Sequence, residues 1–294
     1  LYMMKAVVTG VNGQDGSFLA EFLLEKNYKV IGLVRRSSME DRKLFNVEHL
    51  LKNENFIIEN GDLTDAPSIW RVIQKYQPDE FYNLAAQSHV GASFTSPEST
   101  TQINATGVLN CLEAIKSVSP LTKFYQASTS EMYGDNKSAP QNEFTPFSPV
   151  SPYACAKVFA HNLVVNYRKA YNLYACSGIL FNHESERRGE QFVTRKITKA
   201  AARISLGLQN ELRLGNLDAK RDWGYAKEYV EAMWLMMQQE NADDYVIGTG
   251  KTHTIRDFIS CVSEIAGYDL MKYVIIDEKF KRPSEVPLLQ ANPA

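Results

Sequence analysis

Tyr153 and Lys157 stand four residues apart in Ser151-Pro152-Tyr153-Ala154-Cys155-Ala156-Lys157. On a helix that spacing puts both side chains on one face. A free tyrosine ionises near pH 10, so at neutrality it is a poor base, and half-ionising it at pH 7 takes roughly 4 kcal/mol. A lysine ammonium about 4–5 Å away supplies roughly that much at an effective dielectric near 20. The pair therefore predicts a general base, Tyr153, with Lys157 as its electrostatic partner. The plain alternative is a polar face of an amphipathic helix. Ser128-Thr129-Ser130-Glu131 precedes the pair. Thr129 is placed to hold a reacting hydroxyl, and Glu131 offers a second acid/base, suited to removing a carbon-bound proton. Such a proton is acidic only beside a ketone, so an oxidation must come first. The alternative for Glu131 is a surface or helix-capping carboxylate.

A hydride acceptor is indicated at the other end of the chain. Thr9-Gly10-Val11-Asn12-Gly13-Gln14-Asp15-Gly16 carries glycines at 10, 13 and 16, between a strand-like run and a helix-like one. The three glycines suit a tight turn, close backbone approach to a pyrophosphate and close helix–sheet packing. The following helix offers N–H groups and the positive end of its dipole to phosphates. An NAD site would place an acid after the second strand to bind the ribose 2′-hydroxyl. This chain has Arg35-Arg36-Ser37-Ser38 there. Guanidinium groups and hydroxyls suit a 2′-phosphate, so NADP is favoured over NAD. A solvated basic loop, or a loop that meets a neighbouring subunit, is the alternative. Asp62-Leu63 falls where an adenine would rest, and Leu84-Ala85-Ala86-Gln87-Ser88 is small enough to line the cofactor.

Positioning these groups requires strand–helix alternation, and the sequence supplies it. Strands are predicted at 5–9, 29–34, 56–58, 79–83, 123–127 and 174–181, with helices near 18–26, 65–76, 100–117 and 152–170. The pattern predicts an α/β fold: a Rossmann-type doubly wound parallel sheet with a smaller, mostly helical C-terminal lobe. Residues 1–181, joined by about 224–250, form the predicted dinucleotide-binding domain; 182–223 and 251–294 form the predicted substrate lobe. The 294 residues are 44% hydrophobic and 22% charged, enough for a sizeable core and unlike a disordered or collagenous chain. A net charge of -2 gives no basic excess for nucleic acid. Cys111, Cys155, Cys176 and Cys261 lack metal-ligand spacing and read as reduced thiols, so no metal site is expected. The first ten residues lack the apolar core of a signal peptide, and no stretch approaches a membrane span. A cytoplasmic protein is expected.

Taken together, the glycine turn, the Ser128–Glu131 stretch and the Tyr–Lys pair resemble the short-chain dehydrogenase/reductase superfamily, in its extended branch that acts on nucleotide sugars. In that setting Glu131 becomes informative. Oxidising C4 of a sugar acidifies C5–H and makes the C6 hydroxyl a β-leaving group. Glu131 can take the C5 proton and pass a proton to the departing hydroxyl, after which hydride returns to C6. The net change is loss of water.

The resemblance narrows to the GDP-mannose 4,6-dehydratase family over residues 5–294. It is carried by TGVNGQDG (9–16), VRRSS (34–38), NLAAQSHV (83–90), FYQASTSEMYG (124–134), SPYACAK (151–157), GILFNHES (178–185), FVTRKI (192–197), LGNLDAKRDWG (214–224), YVEAMWLM (229–236) and RPSEV (282–286). It implies that Thr129, Glu131 and Tyr153 are catalytic, with Lys157 assisting and touching the nicotinamide ribose, so that Tyr153 and Lys157 also bind the cofactor. It implies that Gly10, Val11, Asn12, Gly13, Gln14, Asp15, Gly16, Arg35, Arg36, Ser37, Asp62, Leu63, Leu84, Ala85, Ala86, Gln87, Ser88, His183 and Arg188 line NADP. On the substrate side it implies Ser88, Glu131, Asn182, Val193, Lys196, Gly215, Arg221, Arg282 and Glu285. The implied substrate is GDP-mannose, feeding fucose- or rhamnose-type sugars, and the implied assembly is a homodimer or homotetramer. In tetramers of the family the loop equivalent to 35–38 reaches a neighbour's cofactor site.

This chain departs from the family's pattern at three places. Ser99 stands where many members have a cofactor-touching tyrosine, Glu186 where relatives commonly have proline, and relatives continue past Asn292-Pro293-Ala294 with a short helical segment. Two other activities fit the same residues less well. A 4-keto-sugar reductase would need only the Tyr–Lys pair, and a non-catalytic NADP sensor tends to lose it. A dehydratase for another nucleotide sugar is the remaining alternative.

Overall fold

The structure is a computed structural model that describes residues 2–36 and 44–294. The strands are β1 (Lys5–Thr9), β2 (Lys29–Val34), β3 (Phe56–Asn60), β4 (Glu80–Asn83), β5 (Lys123–Thr129), β6 (Ala175–Leu180), β7 (Asn182–Glu184), β8 (Leu212–Leu214), β9 (Lys220–Arg221), β10 (Trp223–Tyr225), β11 (Asp244–Ile247), β12 (His253–Thr254) and β13 (Val274–Ile276). Seven of them form one parallel sheet in the order β11-β6-β5-β4-β1-β2-β3. The chain runs outward from β1 to β3 on one side, then restarts at β4 on the other. That reversal opens a crevice beyond the carboxyl ends of β1 and β4, where α/β sheets bind ligands.

The strands read as unbroken apolar runs because both faces of the sheet are covered. On one face Val8, Tyr82 and Tyr125 pack under the helices Gln14–Glu25 and Ala226–Met237, through residues such as Leu19, Leu23, Val230 and Met233. On the other, Val7, Ile31, Phe81 and Phe124 pack under Ala66–Tyr76, Gly107–Val118 and Pro152–Tyr171. Burying one such side chain contributes about 1.5–3 kcal/mol, so these layers hold the sheet ends in place. A separate cluster joins the helices Val193–Ser205 and Ile255–Ala266 to β8 through Ile197, Ile204, Leu212, Leu214 and Ile259. Near the C-terminus Val286, Leu289 and Ala291 pack against Tyr133, Ile179 and Phe181 of the main sheet's end.

Several boundaries differ from the sequence reading. The helix predicted from residue 100 starts at Pro97, where proline suits a first turn, and passes through a π-helical turn at Gln102–Thr106. Inside that turn the Asn104 amide bonds the Gln87 backbone in both directions, at 2.9 Å each. The predicted strand at 56–58 extends to Asn60, and that at 123–127 to Thr129. Among the described residues no helix is long and apolar enough to cross a membrane.

Candidate functional site

A cavity of about 630 Å³ opens beyond the ends of β4, β5 and β6. Tyr153 reaches it because its helix begins at the residue before: Ser151 caps the N-terminus, its Oγ accepting the Ala154 N–H at 3.0 Å, and Pro152 opens the first turn. Lys157 follows one turn later, and its Nζ donates to the Ala127 carbonyl at 3.0 Å. Thr129 ends β5; its Oγ1 accepts the Glu131 N–H at 3.2 Å and starts the short turn that carries Glu131. All four side chains are buried and line the cavity.

Electrostatics in the protein alone differ from the simple Coulomb expectation. Burial pushes the Tyr153 phenol up to about 12; the Thr129 hydroxyl opposes this, the Glu131 carboxylate adds to it, and Arg188 and Arg282 oppose it. Burial also lowers the Lys157 ammonium to about 8. Lys157 Nζ lies 5.7 Å from the Tyr153 ring centre. The expected lysine-assisted lowering of Tyr153 is therefore absent from the protein itself, because the low-dielectric site penalises both charges.

The glycine turn has the predicted form. Gly10 adopts φ +64°, and a Cβ on Gly16 would lie 2.2 Å from the Gly10 carbonyl oxygen, so only glycine lets helix and turn meet. Gly13 occupies the N-cap with no side chain capping the helix. Such a turn, at the end of β1 and leading into a helix that no side chain caps, fits a dinucleotide pyrophosphate. Thr9 Oγ1 accepts from Leu84 N and Ala85 N, both at 3.0 Å, tying the small loop after β4 to the turn.

The implied cofactor residues divide into groups. Asp15, Leu84, Ala86, Ser88, His183 and Arg188 line the cavity. Gly10, Asn12, Gly13, Gln14 and Gly16 form the adjoining turn and helix start, whereas the Val11 side chain is wholly buried and packs toward Gly32. Ala85 lies beside Gly10. Asp62 and Leu63 follow β3, with Asp62 accepting from Thr64 and Leu63 buried against Gly107. Gln87 is engaged internally, by Asn104, Thr100 and His89. Arg35 and Arg36 are exposed beyond β2, and Ser37 and Ser38 lie outside the described residues. His183 is not free to act as a lone ligand. Its Nε2 pairs with Asp15 and its Nδ1 meets the Phe181 carbonyl, which joins the glycine-turn helix to β7. Burial lowers the histidine's affinity for a proton, but Asp15 outweighs it and the net shift is upward. Arg188 Nε pairs with Glu184 at 3.0 Å and stacks over Phe192.

Every implied substrate residue lines the same cavity: Ser88, Glu131, Asn182, Val193, Lys196, Gly215, Arg221, Arg282 and Glu285. Arg282 Nη1 lies 3.2 Å from Glu131 Oε1. Lys196 donates to the Arg213 carbonyl and sits 3.8 Å over the Phe280 ring. Arg221 is buried, and its one described hydrogen bond goes to the Lys220 carbonyl. A buried guanidinium held by a carbonyl alone suits an anionic ligand. Sequence reasoning passed over His89, Gln191, Phe192, Trp223 and Phe280, which also line the cavity. Aromatic residues of this kind carry no spacing signal, because they come from separate loops.

The profile of the family described as GDP-mannose 4,6 dehydratase matches residues 7–294. The chain belongs to that family. It is 53% identical over 273 residues to a GDP-mannose 4,6-dehydratase of Vibrio cholerae, covering 90% of this chain and 73% of the relative. It is 52% identical over 295 residues to GDP-mannose 4,6 dehydratase 1 of Arabidopsis thaliana, covering 98% and 81%. Among solved structures it is similar to the Thermus thermophilus UDP-glucose 4-epimerase in complex with NAD, with a TM-score of 0.84, 26% identity and coverage of 99% and 91%. Family membership agrees with the parallel sheet, the glycine turn and the Tyr153–Lys157 helix.

Proposed function

We propose that this chain is an NADP-dependent hydro-lyase that converts GDP-mannose to GDP-4-dehydro-6-deoxy-mannose and water. The observation that carries the reading is the meeting of two acid/base groups, Tyr153 and Glu131, with Thr129 in one buried cavity. Oxidation alone would need only the tyrosine, the lysine and a hydroxyl. The carboxylate adds the elimination.

Bound NADP supplies the hydride acceptor and donor and, when oxidised, a positive charge. The helix N-terminus at Gly13–Gly16 would hold its pyrophosphate, and Arg36 with Arg35 would hold its 2′-phosphate. Tyr153 takes the proton from the sugar's C4 hydroxyl, which Thr129 orients, and returns a proton at the end. Lys157 supports the ionised phenol. Glu131 takes the C5 proton and delivers a proton to the departing C6 hydroxyl. Arg221, Arg282 and Lys196 receive the diphosphate, and Asn182, Val193, Gly215, Ser88 and Glu285 shape the sugar-nucleotide site. In this reading residues 1–181 with 224–250 bind the cofactor, and 182–223 with 251–294 bind the substrate. The four cysteines are unpaired, which supports a cytoplasmic setting, and the working assembly is a homodimer or homotetramer.

The test is incubation of purified protein with GDP-mannose and NADP in heavy water. The expected product is a keto-deoxy sugar labelled at C5, with no accumulated NADPH. Accumulating NADPH, or an unlabelled product, contradicts the reading.

A further inference from the structure

A second buried polar chain lies against the catalytic helix. His161 stands four residues beyond Lys157, so Tyr153, Lys157 and His161 descend one helix face. Its Nδ1 is 3.0 Å from Ser128 Oγ. Its Nε2 is 3.9 Å from Asp244 Oδ2, too long for a direct hydrogen bond but close enough for the carboxylate's charge to be felt. Asp244 is itself gripped by Arg168, whose two terminal nitrogens donate to its two oxygens at 3.1 and 2.7 Å. His161 and Ser128 are only 5% and 4% exposed, and Phe147 packs edge-on to the imidazole. Ser128 lines the cavity beside Thr129 and Tyr153.

The charge on Asp244 favours a ring proton on Nε2. Nδ1 then carries a lone pair, and the Ser128 hydroxyl must donate to it. A serine has one hydroxyl proton. Once it is committed to His161, the oxygen offers the cavity only lone pairs.

We propose that His161 is a positioning residue for the reaction: Asp244, fixed by Arg168, selects the ring tautomer that holds Ser128 as a hydrogen-bond acceptor toward the catalytic cavity. The proposal rests on the dehydratase reading for its kinetic consequence, whereas the tautomer and the hydroxyl direction stand without it. Protonation of His161 would turn Nδ1 into a donor, and the Ser128 proton would swing toward the cavity. The charged groups acting on the ring are Asp244 from β11 and Arg168 of its own helix. Burial holds the ring below its ordinary 6.5 against the pull of Asp244, with Arg168 adding to the effect. The reversal therefore falls below pH 6.5.

The test combines a spectrum with kinetics. Protein carrying nitrogen-15 histidine is examined with NADP bound, and the His161 signals are assigned by their loss in His161→Asn. The proposal expects the Nε2–H tautomer above pH 7, with Asp244→Asn weakening that preference. An Nδ1–H tautomer overturns it. In turnover of GDP-mannose, His161→Leu should lower kcat roughly tenfold with KM little changed. His161→Asn, which keeps an acceptor near Nδ1, should recover most of that loss, and its acid limb should move to lower pH than the wild type's. Ser128→Ala combined with His161→Leu should be no worse than either alone. Additive losses, or an acid limb in His161→Asn identical to that of the wild type, overturn the proposal. If His161→Leu does not fold, the wild-type spectrum decides. A protein that turns over no GDP-mannose contradicts the dehydratase reading and leaves the spectrum still decisive for the tautomer.

Discussion

Arg282, from the segment after β13, places Nη1 3.2 Å from Oε1 of Glu131, which stands just past the end of β5. The contact joins the C-terminal segment to the carboxylate proposed to perform the elimination. Glu131→Gln should keep NADP binding and lower kcat by at least ~100-fold, the usual size of a lost general acid/base. Arg282→Lys should restore less than half of what Arg282→Ala loses in kcat/KM, because an ammonium cannot reproduce the guanidinium fork. Steady-state kinetics with a separate cofactor titration measure both. An unchanged elimination rate in Glu131→Gln would remove Glu131 from the reaction.

Lys157 links function to stability. Burial lowers it to about 8 in the folded protein, against about 10.4 in an unfolded chain. Below the folded value both states hold the proton, and the folded state bears the burial of a cation. Between the two values the unfolded chain alone holds it, so this group's contribution to stability improves as pH rises. Lys157→Met, in protein stripped of cofactor, should therefore be inactive yet more stable at pH 7, by on the order of 2 kcal/mol. The gap should close near pH 10. Thermal unfolding at the two pH values checks this, and a less stable variant at pH 7 would contradict it.

Gly16 leaves no room for a side chain. An added Cβ would stand 2.2 Å from the Gly10 carbonyl oxygen and 2.7 Å from the Val11 Cα, both backbone atoms. Gly16→Ala should push the turn away from the helix, costing about 2 kcal/mol of stability. The same shift should weaken NADP binding by at least tenfold. Calorimetric titration of NADP gives the readout, and wild-type affinity would show that the turn can yield without loss.

Arg35 and Arg36 lie at the exposed end of β2. If they receive a 2′-phosphate, Arg36→Glu should weaken NADP binding by roughly 30-fold or more, the size of a lost charge-assisted contact, while NAD binding changes little. Equal losses for both coenzymes would mean that the loop does not read the phosphate.

The sequence exposed the sheet better than the site's wiring. Runs such as Val7-Val8 and Phe81-Tyr82 are apolar without alternation because both faces are covered, and that is visible in a string of letters. The π-helical turn at Gln102–Thr106 was not, since it shifts helical register for the sake of an Asn104–Gln87 contact. Tyr153 and Lys157 announce themselves because one helix turn relates them. Glu131 and Arg282 are 151 residues apart in sequence, and Asp15 and His183 are 168 apart. No local spacing couples such pairs; only the packed fold does. The same holds for the Tyr153 phenol. Coulomb attraction can be reckoned from residue types, whereas the burial that pushes the phenol up to about 12 depends on everything packed around it.

In the proposed reaction hydrogen leaves C4 of the hexose and returns to C6 of the same molecule. GDP-mannose carrying both deuterium at C4 and carbon-13 throughout the hexose, mixed with an equal amount of unlabelled substrate and turned over in ordinary water, tests it directly. The expected product carries deuterium at C6 only in its carbon-13 molecules, with no net reduction of coenzyme, whereas deuterium shared with the carbon-12 molecules would show exchange between molecules. A product without deuterium at C6, formed at the normal rate, would contradict it.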